Sequence, residues 1–174
     1  IVGELVPIGL LQRILKNLLR NGIPIRELSA VIESLGEYAT KTKNPDLLTE
    51  MVRKNLTRTI TELYKNQSGK ISAITLAPAV EHRMTSNLTQ EADGLKLALP
   101  AETSMEINSS ITKAWKSAMD KGAEKIVLLC DSRLRLPLAA MLSRLVPMLP
   151  IIAYDEIVLG TEIEPAETVA FNRY

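Results

Sequence analysis

The sequence predicts an α+β protein in two parts: an N-terminal three-helix subdomain over residues 1–68 and a small α/β subdomain with a mostly parallel sheet over residues 69–174. Three observations carry this. Apolar residues recur at three- and four-residue spacing as far as Asn66, the period of helices that each bury one face. The period changes at Gly69-Lys70, after which Ile71, Ala73, Ile74 and Leu76 read as a strand that stops at Pro78, so the boundary is placed near Ser68. From Lys125 to Ile157 the chain then reads strand, helix, strand, and a helix joining two short strands makes them parallel with a right-handed crossover.

Taken in order, Pro7 to Arg20 places Ile8, Leu11, Ile14, Leu15, Leu18 and Leu19 on one face and Gln12, Arg13, Lys16, Asn17 and Arg20 on the other. Arg20 suits the negative end of that helix and Gly22 its left-handed cap. Pro24 opens a second helix, with Leu28, Val31, Ile32 and Leu35 as its buried stripe. Asn44 as N-cap, Pro45 at the first helical position and Asp46 in the first turn begin a third, whose face of Leu48, Met51, Val52, Leu56, Ile60 and Leu63 implies one helix of some five turns.

Beyond the boundary, Pro78 to Met84 reads as a short helix, Thr85 to Gly94 as a polar loop or irregular hairpin, and Leu95 to Leu99 as a weak strand. Pro100 opens a helix with Met105, Ile107, Ile111, Ala114, Trp115 and Met119 on its expected buried face and Gly122 as its stop. Lys125 to Cys130 is a buried strand. Asp131 or Ser132 caps the helix that follows, in which Leu134, Leu138, Met141, Leu142, Leu145 and Val146 recur up to Pro147. Pro150 to Tyr154 is the second parallel strand, and Thr161 to Val169 reads as an edge strand.

At 46% hydrophobic the chain has ample apolar material for a core. A net charge of +1 argues against nucleic acid and strongly anionic membranes, and an aromatic content of 3% against base stacking. No apolar run reaches the roughly 18–20 residues that span a bilayer, and no secretory signal pattern occurs at the start. The first residue is Ile1 rather than Met, as expected of a piece of a longer protein. The single cysteine rules out an intrachain disulfide.

Few residues invite chemistry. Gly69-Lys70 lacks the earlier glycine of a phosphate loop and precedes a strand, so a solvated turn is the simpler reading. His82 is the sole imidazole and has no cysteine or second histidine at metal-ligand spacing. Cys130-Asp131-Ser132 sits where a strand ends and a helix begins, the position at which open α/β sheets place ligands, and so carries the alternative of a stand-alone ligand-binding or enzymatic domain. Helix capping and core packing are the bland readings there. Asp155 and Glu156 are paired carboxylates at a strand end, and Arg13, Lys16 and Arg20, continued by Arg26, form a basic face suited to an acidic partner surface. These six are the candidate protein-interaction residues. No motif calls for a cofactor, a metal or a catalytic residue.

Several stretches together resemble a known family. Ile8-Gly-Leu-Leu-Gln12-Arg13-Ile14 through Arg20, then Gly22-Ile-Pro24-Ile25-Arg26-Glu27-Leu28, is similar to the helical region of the flagellar and type III secretion export-gate proteins, the FlhA or FHIPEP family. Asn44-Pro45-Asp46-Leu47-Leu48, Leu129-Cys130-Asp131 through Leu134-Arg135, Leu149-Pro150 and Tyr154-Asp155-Glu156-Ile157 continue the resemblance in the same order. It implies the last two of about four cytoplasmic subdomains that follow a membrane-spanning half. It also implies a non-enzymatic part of the bacterial flagellar export gate, at the cytoplasmic face of the inner membrane, that forms a homo-oligomeric ring. Export-apparatus proteins and export substrates or their chaperones would be its partners, with no direct membrane contact by this portion. A free-standing adaptor without a membrane half is the further alternative.

Overall fold

The computed structural model describes residues 3–172, and the chain divides into two compact units, Ile1–Leu63 and Tyr64–Tyr174. The break precedes Ser68 because the intervening turn is tied forward. Asn66 Oδ1 accepts from the backbone N–H groups of Ser68 (2.9 Å) and Lys70 (3.1 Å), and its Nδ2 donates to Ser72 Oγ at 3.1 Å.

In the first unit, helix α1 (Ile8–Arg20) buries Ile14 and Leu18. Its end is closed by two backbone bonds, Gly22 N–H to Leu19 O and Ile23 N–H to Leu18 O, both 2.9 Å. The geometry needs the positive φ of +77° at Gly22, which a residue with a Cβ adopts only under strain. A 3₁₀ turn over Ile25–Glu27 separates Pro24 from α2 (Leu28–Tyr38), so the second helix starts later than its proline suggests. Leu28 is exposed, and Val31 and Leu35 carry the burial.

Helix α3 (Pro45–Lys54) begins as its sequence demands: Asn44 Oδ1 accepts from the N–H groups of Asp46 (2.9 Å) and Leu47 (3.3 Å), with Pro45 in the first turn. The single long helix expected up to Leu63 is instead two, since α3 stops at Lys54 and α4 runs Thr57–Tyr64. No glycine or proline marks the break. Asn55 makes it by folding its N–H back to Val52 O (2.9 Å) while its carboxamide donates to Ser34 Oγ (2.9 Å), a buried hydroxyl of α2. A tertiary hydrogen bond thus overrides a continuous helical pattern, and Leu56 and Ile60 still reach the core.

The second unit holds a four-stranded, all-parallel sheet in the order β5-β4-β1-β6, made of β1 (Ile71–Leu76), β4 (Val127–Cys130), β5 (Ile151–Ala153) and β6 (Ile163–Val169). With its separate antiparallel hairpin of β2 (Leu88–Glu91) and β3 (Gly94–Leu97), this is the α+β class the sequence predicts. The polar stretch after α5 (Pro78–Thr85) is therefore a regular hairpin. Every residue of β4 and β5 is buried, as parallel strands covered on both faces must be. Strand β6 lies at the sheet edge and tolerates Pro165 there because its register on β1 shifts between Ala73 and Ile74.

Helix α6 (Ala101–Asp120) buries Ile107, Ile111, Ala114 and Ala118. Met105 and Met119, expected on that face, lie outside it and are exposed. Helix α7 (Ser132–Leu142) follows β4 with Asp131 as N-cap, its carboxylate accepting from Arg133 N–H at 2.9 Å. It ends at Leu142, so Leu145 falls outside the stripe and is exposed, whereas Val146 turns back into the core.

Candidate interaction surfaces

The basic face of α1 follows from helix geometry. Arg13, Lys16 and Arg20, spaced three and four apart, project opposite Ile14 and Leu18, and all three are exposed. Arg26, in the 3₁₀ turn, is exposed as well. These four residues are cations open to solvent, three of them on one helix face.

The carboxyl pair divides. Asp155 is exposed, but Glu156 is 1% exposed and is not a surface carboxylate. Its Oε1 accepts from Ala153 N–H at 2.9 Å across the 3₁₀ turn Tyr154–Glu156, satisfying a donor at the end of β5 that would otherwise be buried without a partner. Glu156 holds the strand end together and cannot serve as a contact residue, a distinction invisible in two adjacent acidic letters.

The strand end at Cys130-Asp131-Ser132 is a structural joint. The Cys130 thiol is fully buried, and burial, only partly offset by the Arg135 guanidinium, drives its pKa far above the ordinary thiol value, which favours the neutral thiol. Asp131 caps α7 and its carboxylate pairs with Arg133 Nε at 3.1 Å. Glu81 of α5 binds the joint from outside: its Oε2 accepts from Asp131 N–H (3.2 Å) and from Tyr154 Oη (3.3 Å). Burial first and the Glu81 charge second push the Tyr154 phenol up to about 12. Arg135, 4% exposed, donates to Ile151 O at 3.1 Å and so occupies a carbonyl of β5.

The remaining motifs are equally ordinary. Lys70 pairs with Glu162 at 3.3 Å beside the Asn66 turn, whose amides are already taken, and His82 lies 3.4 Å from Ser86 Oγ on the surface of α5. Among the described residues no group of three His, Cys, Asp or Glu is placed to hold a metal ion.

Two apolar surface features were missed from the sequence. An open groove of about 470 Å³ runs along α6, lined by Met105, Asn108, Thr112 and Leu145 with Lys113 and Lys116 as its cations. Separately, Leu159 stands 98% exposed at the tip of the loop before β6, next to Gly160 at φ +87°. The available signals were slight: a methionine off the helix period, a leucine one turn past a helix end, and an apolar pair ahead of a glycine.

The FHIPEP family profile matches residues 1–162. Flagellar biosynthesis protein FlhA of Bacillus subtilis strain 168 is 29% identical over 168 residues, 94% of this chain and 25% of that protein. The Chlamydia pneumoniae CdsV protein superposes with a TM-score of 0.83 at 27% identity over 96% of this chain and 48% of its own, and CdsV has also been solved in complex with CdsO. The EscV cytosolic domain of a type III secretion system, solved as a nonamer, superposes with a TM-score of 0.68 at 25% identity over 91% of this chain and 46% of its own. The chain spans about a quarter of the length of the FlhA relative.

Proposed function

The chain belongs to the FHIPEP family, and from that membership we propose that it is part of the cytoplasmic region of a bacterial flagellar protein export gate. In this reading it is a docking and ring-forming module without chemistry of its own, and the membrane anchor lies in the remainder of a longer protein. The 1–68 subdomain carries the basic docking face and the 69–174 subdomain carries Asp155. Export-apparatus proteins, and export substrates or their chaperones, are the partners. The observation that carries the reading is the likeness to the nonameric EscV cytosolic domain over 91% of the chain. The buried thiol of Cys130 and the capping roles of Asp131 and Glu156 agree with it, because polar groups that would serve a reaction are spent on holding the fold. Among the described residues no helix is long and apolar enough to cross a membrane.

The basic face supplies the test. Reversing Arg13, Lys16 and Arg20 together to Glu leaves the helix intact, because all three are exposed, and is expected to weaken self-association or partner binding and to reduce swimming. Unchanged sedimentation together with unchanged motility would remove the basic face from the proposal. Flagellar and virulence-type roles separate in the same strain, since one loses motility and the other effector secretion.

A further inference from the structure

We propose that the Leu159 tip of one copy seats in the α6 groove of the next copy, a head-to-tail contact between the second units of neighbouring chains. The inference rests on the ring-forming reading above and supplies one of its contacts. Knob and hole are both present on the same unit and do not meet within one chain, because Leu159 is 98% exposed. They also match in charge. In the chain the tip is flanked by exposed Asp155 and Glu164, with Glu162 between them already paired to Lys70, whereas the groove carries Lys113 and Lys116, with exposed Arg144 next to Leu145 in the chain. An acid-flanked apolar tip and a base-flanked apolar groove are complementary between copies and repulsive when like meets like.

Met105 (70% exposed) and Leu145 (51%) are the apolar walls such a tip would cover. Asn108, in the groove lining, has an enclosed Oδ1 that accepts no hydrogen bond, and rotation of its carboxamide would offer that oxygen to an arriving backbone N–H. Contact between two different patches is heterologous, and a heterologous contact repeated with a closing rotation generates a ring.

Cysteine pairing tests this cleanly because native Cys130 is buried. Ser109 is an exposed residue of the same groove lining, and purified Leu159→Cys and Ser109→Cys variants, oxidised as an equimolar mixture, are expected to give a covalent dimer that neither variant gives alone. Leu159→Asp should weaken concentration-dependent association by about tenfold or more, and Lys113→Glu with Lys116→Glu should do the same. A dimer from Leu159→Cys alone would mean tip meets tip and would overturn the proposal. Absence of the mixed dimer overturns it too. If sedimentation still shows assembly, only this contact fails; if the chain stays monomeric throughout, the ring-forming reading fails with it. A photo-crosslinking residue at Ser109 in cells should yield an adduct at the mass of two chains, and an adduct only to a different protein would assign the groove to that partner instead.

Discussion

The thiol of Cys130 is walled off from solvent, and that enclosure decides what the residue does. Removing its sulfur should leave a void in the second core, so Cys130→Ala is expected to cost on the order of 1 kcal/mol or more in a denaturant melt. The wild-type thiol should meanwhile resist a water-soluble thiol reagent until the protein unfolds. Rapid labelling of the folded protein would contradict the burial. Tyr154 offers a second reading of local surroundings. Its phenol is held up to about 12 by burial and by Glu81, so the neutral form is favoured in the fold. The stability this contributes is fully present below the ordinary tyrosine value of about 10 and is lost as the pH rises from there towards about 12. Glu81→Gln should lower the Tyr154 midpoint, as followed by NMR of the labelled ring, and an unmoved midpoint would remove Glu81 from the causes of the shift.

At the scale of elements, the parts legible in the sequence were those whose signals are local. Asn44, Pro45 and Asp46 specify the start of α3 within three residues, and the structure supplies both bonds to the Asn44 side chain. Asn44→Ala should therefore cost about 1 kcal/mol of stability, and no loss in a thermal melt would show that the cap is dispensable. The strand read over Lys125–Cys130, its cap at Asp131 or Ser132 and the parallel partner over Pro150–Tyr154 were legible for the same reason, and the structure trims them to Val127–Cys130, Asp131 and Ile151–Ala153. What escaped depends on distant partners. The α3–α4 break is set by Asn55 reaching Ser34, 21 residues away in sequence. The exposure of Met105 and Leu145 depends on where neighbouring elements end, and the burial of Glu156 goes with the backbone N–H of Ala153 that it accepts. Of the surface residues singled out by charge, Arg13, Lys16 and Arg20 are exposed because the amphipathic period of α1 reports its outer face directly, and Arg26 and Asp155 are exposed in 3₁₀ turns.

For the whole molecule, polar chemistry is spent on joints: Glu81 on the β4–α7 turn, Glu156 on the end of β5, and Glu167 on α6, where it accepts from Ser117 Oγ and Lys121 Nζ, each at 2.6 Å. Facing solvent are a run of cations on α1 and a pair of apolar features in the second unit, the surfaces on which the two docking proposals rest. The export role is tested most directly by deleting the encoding gene in its own host and measuring flagellar proteins released into the medium. Secretion and swimming should both be lost and return when the intact gene is restored. Undiminished secretion in the deletion strain would contradict the assignment to the export gate.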